Sequence, residues 1–313
     1  MTFSLAELEA AARTVHASMP PTPQYAWPLL AGRAGCEVWV KHENHTPTGA
    51  FKVRGGLVFF DRHRESRGMV SATRGNHGQS LACAARRYRI PVTLVVPLGN
   101  SVEKNAAMRA FGATVIEHGR DYQEARLEAD RLAQTRDLAY VPPFHPDLVL
   151  GVATYALELL RAVPDLHTVY VPVGMGSGIC GLIRTRDLLG LSTRIVGVQA
   201  EGAPAYALSF AAGRPVSTET AETFADGVAT RVPDAQAFEI IRGGAERIVT
   251  VSEAEIAAAL RALYTDTHNL AEGAGAAPLA ALLKERDAMR GRRAAVILSG
   301  GNIDLDLFRR VLG

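Results

Sequence analysis

One lysine stands apart in this chain because of the residues around it. The chain has four lysines among 34 basic residues: Lys41, Lys52, Lys104 and Lys284. Only Lys52 follows an aromatic residue, Phe51, and opens a run of small and apolar residues after a Pro-Thr-Gly turn. A lysine withdrawn from water has a lowered pKa, and its neutral amine can form a Schiff base or act as a base. The alternative is a lysine at a helix start whose ammonium reaches water.

Two of the other lysines lie in polar surroundings. Lys104 and Lys284 neighbour Glu103 and Glu285 in sequence of helical character. Charged residues in such contexts are usually solvated. We therefore expect Lys104 and Lys284 at the surface.

A polar loop between a predicted strand and a predicted helix offers hydrogen-bond donors. Residues 71–80 read Ser-Ala-Thr-Arg-Gly-Asn-His-Gly-Gln-Ser. The two glycines allow close backbone approach to a ligand, and the helix that follows presents free N–H groups. Thr73, Asn76 and His77 add side-chain donors. The pattern predicts a cradle for a carboxylate or phosphate, with an ordinary turn and helix cap as the alternative.

A second loop is rich in glycine. Gly174, Gly176, Gly178 and Gly181 lie within eight residues that follow an apolar strand. Backbone amides at a helix N-terminus bind phosphate in this way. The loop lacks the Lys-Ser/Thr of a P-loop. Binding of a dinucleotide is a weaker alternative, since Glu201 is only roughly where the ribose-binding acid is expected.

Three further turn residues could join a site. Ser299 places a neutral hydroxyl at the end of a predicted strand, where its alternative role is to cap the last helix, near Asp304. Gly227 lies in an Asp-Gly turn. Glu272 stands among small apolar residues ahead of a helix, either as a complement to the helix dipole or as a site residue.

Composition narrows the class of protein. The chain has 313 residues, of which 48% are hydrophobic and 21% charged, which is typical of a globular enzyme. A net charge of +2 with mixed signs gives no case for nucleic acid, and no run of 18 apolar residues predicts a membrane span. The three cysteines fit neither metal-ligand spacing nor a disulfide framework. Without a secretory signal at the N-terminus, we expect a cytoplasmic protein with reduced thiols.

Strands and helices alternate along the chain, which predicts an α/β fold with parallel sheets. Ser4 and Glu7 form a capping box that begins the first helix. The spacing favours two lobes with a cleft, and ligands of such sheets bind at the carboxyl ends of strands. The predicted strands are 37–40, 68–71, 92–96, 113–117, 168–173, 194–199, 247–251 and 294–298. The predicted helices lie near 52–62, 77–89, 102–111, 120–134, 148–162, 178–189, 203–212, 252–264 and 273–284.

In this order the motifs resemble those of the fold-type II pyridoxal-phosphate (PLP) enzymes, in the threonine/serine dehydratase and serine racemase group. The resemblance runs from Thr46 to Asn302 and rests on five motifs. It implies a tryptophan synthase β-like fold of two lobes, each with a twisted, mostly parallel sheet flanked by helices. The large lobe would comprise residues 1–67 and 146–313, and the small lobe, 68–145, would be inserted in it.

The resemblance also implies roles for individual residues. Lys52 forms the internal aldimine and, once released, removes the substrate α-proton, while Phe51 packs beside the cofactor ring. Asn76 faces the phenolic oxygen of the cofactor and Ser299 its pyridine nitrogen. The remaining implied contacts are the phosphate loop of Gly174, Met175, Gly176, Ser177 and Gly178, the substrate carboxylate loop of Thr73, Asn76 and His77, and Gly227 and Glu272 near the ring.

Departures from the family pattern sharpen the expected activity. Arg74 stands where racemases carry a serine, and a guanidinium is a poor proton abstractor, so racemisation is disfavoured. Arg74 then either binds an anionic group of the substrate or points into solvent. Val152 and Ala153 stand where relatives usually have glutamine and glycine. This replacement either suits a substrate with a bulkier or less polar side chain or is a neutral change in packing. Some relatives have a divalent-cation site here. This chain keeps one candidate ligand, Glu201, but has Ala205 and Ala207 where the other ligands are expected, so we expect little metal dependence.

The implied reaction is α,β-elimination of water from a β-hydroxy amino acid, giving a 2-oxo acid and ammonia. A serine at the pyridine nitrogen favours prompt loss of the β-hydroxyl over transamination. Threonine and serine are the expected substrates, with phenylserine and threo-3-hydroxyaspartate as further candidates. The alternatives are racemisation, cysteine synthase-like β-replacement, and a catalytically idle binding protein. We expect a homodimer, and a catabolic enzyme without an appended regulatory domain because the chain ends at Gly313.

Overall fold

A six-stranded and a four-stranded sheet organise residues 2–313, the part of the chain that this computed structural model describes. Met1, the first residue of the predicted segment 1–67, lies outside the described residues. The strands are β1 (Gln24–Ala26), β2 (Glu37–His42), β3 (Met69–Ala72), β4 (Val92–Val96), β5 (Thr114–Glu117), β6 (Ala139–Tyr140), β7 (Thr168–Pro172), β8 (Arg194–Ala200), β9 (Arg247–Val251) and β10 (Arg293–Leu298).

Both sheets are built mainly from parallel strands. The larger has the order β1-β2-β10-β7-β8-β9, in which only the edge pair β1 and β2 is antiparallel. The smaller has the order β5-β4-β3-β6 and is parallel throughout. All eight predicted strands are present, whereas β1 and β6, of three and two residues, are too short to give a periodic signal.

Helices cover the sheets. They are α1 (Leu5–His16), α2 (Pro28–Ala34), α3 (Lys52–Arg62), α4 (Asn76–Tyr88), α5 (Val102–Ala110), α6 (Tyr122–Thr135), α7 (Pro146–Ala162), α8 (Ser177–Leu188), α9 (Ala205–Ala212), α10 (Ala235–Gly244), α11 (Glu253–Thr267), α12 (Gly273–Lys284), α13 (Arg286–Met289) and α14 (Leu305–Leu312). Within residues 2–313, no helix is long and apolar enough to cross a membrane.

Most helices lie where the sequence predicted them. The capping box of Ser4 and Glu7 begins α1 as expected. Helices α2, α10 and α13 were not predicted, although the Asp234 side chain, which accepts from the Ala237 amide, is a recognisable start signal for α10. The four-stranded sheet is built from residues 69–140, inside the predicted insertion, and the exact lobe boundaries stay a prediction.

A buried cluster of charges joins α3 to its neighbours. The Arg54 guanidinium, which has no exposed area, donates to Glu43 from Nε at 2.7 Å and to Glu158 from Nη1 at 2.6 Å. Lys41 Nζ, also fully buried, lies 2.6 Å from the second oxygen of Glu158. Burial alone would raise the pKa of Glu158, but Arg54 outweighs it and lowers the pKa to about 2. The cluster fixes α3 against β2 and α7.

Replacing Arg54 with methionine should destabilise the protein strongly. Removing one partner of a buried ion pair leaves the other charges unsatisfied and costs about 3–5 kcal/mol. Arg161→Met is the matched control, because Arg161 pairs with Glu9 at the surface, where a pair contributes about 1 kcal/mol or less. Thermal unfolding followed by circular dichroism should show a much lower midpoint for Arg54→Met. Equal midpoints for the two variants would refute this account.

Candidate active site

Lys52 is the first residue of α3 and directs its amine at the glycine loop. Its Nζ donates to Ser177 Oγ at 3.0 Å and lies 5.0 Å from the centroid of the Phe51 ring. Burial lowers the pKa of Lys52 to about 8. A larger fraction of the amine is therefore neutral near physiological pH than for an ordinary lysine. The side chain has the chemical state needed for a Schiff base or a base.

The glycine loop lies between β7 and α8. Gly176 caps α8 with φ of +98°, a conformation that favours glycine, and Ser177 is the first residue of this 12-residue helix. A Cβ added at Gly178 would lie 3.5 Å from the Phe51 ring, so the loop backbone at Gly178 lies directly next to that ring. The first amides of α8 have no partners within the helix, and the hydroxyl of Ser177, its first residue, contacts the Lys52 amine.

Neighbouring backbone closes this loop from the other side. The Tyr206 hydroxyl donates to the Met175 carbonyl at 3.2 Å. A Cβ added at Gly174 would lie only 2.2 Å from the Gly227 carbonyl, so the Asp-Gly turn abuts the loop directly. The loop of residues 174–178 is thus packed between Tyr206 and Gly227.

Ser299 follows β10 and is held beside the start of α3. The Phe51 amide donates to the Ser299 carbonyl at 2.9 Å, and Ala50 and Gly300 form an isolated β-bridge. The Ser299 side chain is buried. The alternative that Ser299 caps the last helix is wrong, because Asp304 occupies the N-cap of α14.

The polar loop of residues 71–80 approaches the same place from the four-stranded sheet. Asn76, the first residue of α4, donates from Nδ2 to Glu272 at 2.7 Å and accepts from Asn302 Nδ2 at 2.8 Å. The Thr73 hydroxyl oxygen accepts from the amides of Gly75 at 3.1 Å and Gly78 at 2.9 Å. The loop is therefore shaped by Thr73 and tied across the cleft by Asn76.

His77 and Arg74 have contrasting environments in this loop. His77 Nε2 lies 3.3 Å from Ser71 Oγ, and burial, together with the charge of Lys52, lowers the pKa of His77 to about 3. Its imidazole is thus neutral over the physiological range. Arg74 is exposed to solvent. Both predicted roles of Arg74, contact with an anionic substrate group and surface residue, stay predictions.

The prediction that Lys104 is a surface residue is wrong. Its side chain is 7% exposed, and Nζ lies 2.5 Å from Asp226 and 3.7 Å from Glu272. Burial alone would lower the pKa of Lys104, but Glu272 and Asp226 outweigh it and raise the pKa. Local sequence shows only a polar helix, since Asp226 is 122 residues away. Lys284, in contrast, is exposed and lies near Glu201 and Glu255.

Glu272 is a buried carboxylate at the centre of these contacts. Burial raises its pKa to about 7, the charge of Lys104 opposes the rise and that of Asp226 adds to it. One oxygen accepts from Asn76, while the other has no hydrogen-bond partner among the described residues. The Lys104 ammonium, 3.7 Å from this second oxygen, balances its charge without a direct hydrogen bond.

Glu201, the remaining candidate for a divalent-cation ligand, is exposed at the end of β8 and lies 3.4 Å from Lys284 Nζ. Within residues 2–313, the only three-residue cluster of metal-type ligands is formed by His63, His145 and Asp147, far from Glu201 in sequence. The sequence did not single out that cluster.

The arrangement fits an aldehyde that carries a phosphate. An amine with a lowered pKa lies at the edge of a cradle of free helix amides. Phe51 provides an apolar face between them, and Ser299 a neutral hydroxyl on the same side of the sheet. The second oxygen of Glu272, which lacks a hydrogen bond, can accept from one more donor beside Lys104. These are the groups that a PLP site requires.

Comparisons with known proteins agree with this geometry. The chain is 34% identical to the L-threonine ammonia-lyase of Thermotoga maritima over 99% of this chain and 78% of that protein. It is 33% identical to an L-threo-3-hydroxyaspartate ammonia-lyase of a Pseudomonas species, over 93% of this chain and 92% of the relative. The structure of maize serine racemase superposes with a TM-score of 0.93 at 25% identity, over 99% and 97% of the two chains. The family model "Pyridoxal-phosphate dependent enzyme" matches residues 17–300, and this chain belongs to that family.

Proposed function

We propose that this protein is a PLP-dependent ammonia-lyase that removes water from a β-hydroxy amino acid, giving a 2-oxo acid and ammonia. The observation that carries the proposal is the 3.0 Å contact between Lys52 Nζ and Ser177 Oγ, which puts a reactive amine at the first turn of a phosphate-binding helix. The names of the relatives support elimination on threonine or threo-3-hydroxyaspartate.

The cofactor would be held by groups from both sheets. The amides of residues 174–178 would bind its phosphate, and Phe51, Gly227, Asn76 and Ser299 would contact the rest of the cofactor. Bound PLP supplies an electron sink for the charge left when the α-proton is removed. Ser299 is neutral, so this residue does not stabilise a positive charge on the ring.

Lys52 is the proposed base. With a pKa near 8, its amine both accepts a proton readily and returns it near neutral pH. The low pKa of His77 makes its imidazole a weak base, and the Arg74 guanidinium stays protonated, so neither residue is suited to take a second proton from the substrate. Elimination is therefore favoured over racemisation, and β-replacement stays the second rival.

The loop of residues 73–77 is the proposed site for the substrate carboxylate. The Thr73 oxygen accepts from two amides, which leaves its O–H free to donate to a substrate. The N-terminus of α4 and the neutral His77 add donors and favour an anion. Arg74 is the residue that would reach an acidic substrate side chain after a change of rotamer.

We further propose the lobe division at residues 68 and 145, a cytoplasmic homodimer and little dependence on a divalent cation. The exposed Glu201, engaged by Lys284, supports the last point, because Mg²⁺ and Ca²⁺ need several oxygen ligands.

Replacing Lys52 with alanine should abolish both cofactor attachment and turnover. The visible absorbance of bound PLP should disappear, and keto-acid release should fall by at least about 10³-fold. Because the pKa is about 8, capture of added PLP by the apoprotein should accelerate as pH rises and level off above pH 8. Lys284→Ala is the control and should behave as wild type. Normal absorbance and turnover in Lys52→Ala would sink the assignment.

Replacing Lys104 with methionine should impair catalysis and move a pH limb. Loss of the cation leaves Glu272 and Asp226 unpaired, so kcat/KM should fall about ten- to a hundred-fold with PLP content retained. The Lys104 charge lowers the pKa of Glu272. Removing that charge should therefore move the Glu272 limb of the pH–rate profile to higher pH, and this limb should be missing from the profile of Glu272→Gln. The exposed Lys284→Met should change kcat/KM less than two-fold. If this limb of the pH–rate profile lies at the same pH in Lys104→Met as in the wild type, the electrostatic role of Lys104 is refuted.

A substrate panel discriminates the rival activities. Threonine, serine, threo-3-hydroxyaspartate and phenylserine should be compared by keto-acid release, with chiral analysis of recovered substrate and an added thiol as trap. We expect elimination to exceed racemisation and thiol capture, and Mg²⁺ to change kcat/KM less than two-fold in wild type and Glu201→Gln alike. Faster racemisation or thiol addition would replace the proposed reaction with that rival.

A further inference from the structure

A cluster of metal-type side chains lies where the chain passes between the two sheets. His63 ends α3, His145 is the N-cap of α7, and Asp147 lies in the first turn of α7. One ligand atom from each residue lies within 4.8 Å of the other two. No step of the proposed reaction uses any of them.

The spacing of these atoms suits one small ion. Asp147 Oδ2 lies 3.0 Å from His63 Nε2 and 3.7 Å from His145 Nδ1. A tetrahedral ion with bonds of about 2.0–2.1 Å separates its ligand atoms by about 3.4 Å. These two distances lie on either side of that value, and the two imidazole nitrogens lie within 4.8 Å of each other, so side-chain shifts would bring all three ligands to one ion.

Contacts around the cluster hold the ligands in place. The His63 ring stacks on Phe59 with centroids 4.3 Å apart, and the His145 ring meets Phe59 edge-on at 5.1 Å. Arg62 Nη1 holds the other oxygen of Asp147 at 2.6 Å. Hydrogen bonds of this outer kind orient metal ligands. The cluster is therefore ordered before any ion arrives.

Two features oppose a cation here. Arg62 brings a positive charge, although it contacts the oxygen that faces away from the histidines. The His145 Nδ1 accepts from the Asp147 amide at 3.1 Å, and an ion would displace that contact.

We propose that His63, His145 and Asp147 bind one transition-metal ion, with zinc as the reference ion and an open position for water. Two imidazoles and one carboxylate select zinc-like ions over Mg²⁺ and Ca²⁺, which prefer oxygen ligands. The histidine side chains are 39% and 33% exposed, so an ion has access. The ion cross-links the end of α3 to the start of α7.

Zinc titration of the PLP-loaded enzyme tests the site. Calorimetry should show one zinc per chain for wild type, and cobalt(II) should give the intense visible bands of a tetrahedral site. His63→Gln should weaken zinc binding at least about ten-fold. His118→Gln is the matched control, since His118 is exposed and lies outside the cluster. Its affinity should equal that of wild type.

A second variant guards against a folding artefact. His145→Asn removes a ligand while asparagine keeps the capacity to cap α7, so the metal-free thermal midpoint should fall only by the loss of the Phe59 contact. Zinc should raise the midpoint of wild type and His118→Gln, and leave His63→Gln and His145→Asn unchanged. Zinc affinities within two-fold of wild type in both ligand variants, or no zinc binding by wild type, would overturn the proposal. PLP absorbance, recorded in parallel, reports on the proposed function separately.

Discussion

The position of Lys52 depends on a guanidinium buried two residues further along the same helix. The Arg54 guanidinium forms ion pairs with both Glu43 and Glu158, and Lys41 forms a second ion pair with Glu158. A buried charge of this kind tolerates one geometry, because any displacement leaves an ion unpaired in a medium that does not solvate it. The helix α3 is thereby fixed against β2 and α7, and the direction in which Lys52 leaves it is fixed with it.

Parallel strands then bring the other groups to Lys52. The loops after β7 and β10 both begin at the carboxyl ends of parallel strands in the larger sheet. A hydrogen bond from the Phe51 amide to the Ser299 carbonyl joins the second of these loops to the start of α3. The smaller sheet contributes Asn76 and Lys104, which meet Glu272 across the cleft. The site is thus a contact between two sheets, and its charge balance exists only when both are in place.

The sequence was most informative where chemistry and backbone direction coincide. The parallel-sheet rule pointed to the 174–178 loop and to Ser299, which both follow strands, and the family resemblance added Lys52 at a helix start to the same site. Lys104 was misplaced because its partners lie more than a hundred residues away and its own neighbours are polar. The His63 and Asp147 pair, 84 residues apart, gives no spacing signal at all. Strands of two or three residues, such as β6 and β1, are set by their partners rather than by their own pattern.

The two crossings between the sheets lie side by side, since the rings of His63 and His145 have centroids 5.9 Å apart. The segment between them, residues 64–144, therefore begins and ends at neighbouring positions in space. It contributes no strand to the six-stranded sheet. The segment is topologically a removable module. A chain that lacked it would need only a few residues to close the gap, with the larger sheet complete and the Lys52 helix still anchored by Arg54, but without Asn76 and Lys104 to contact Glu272.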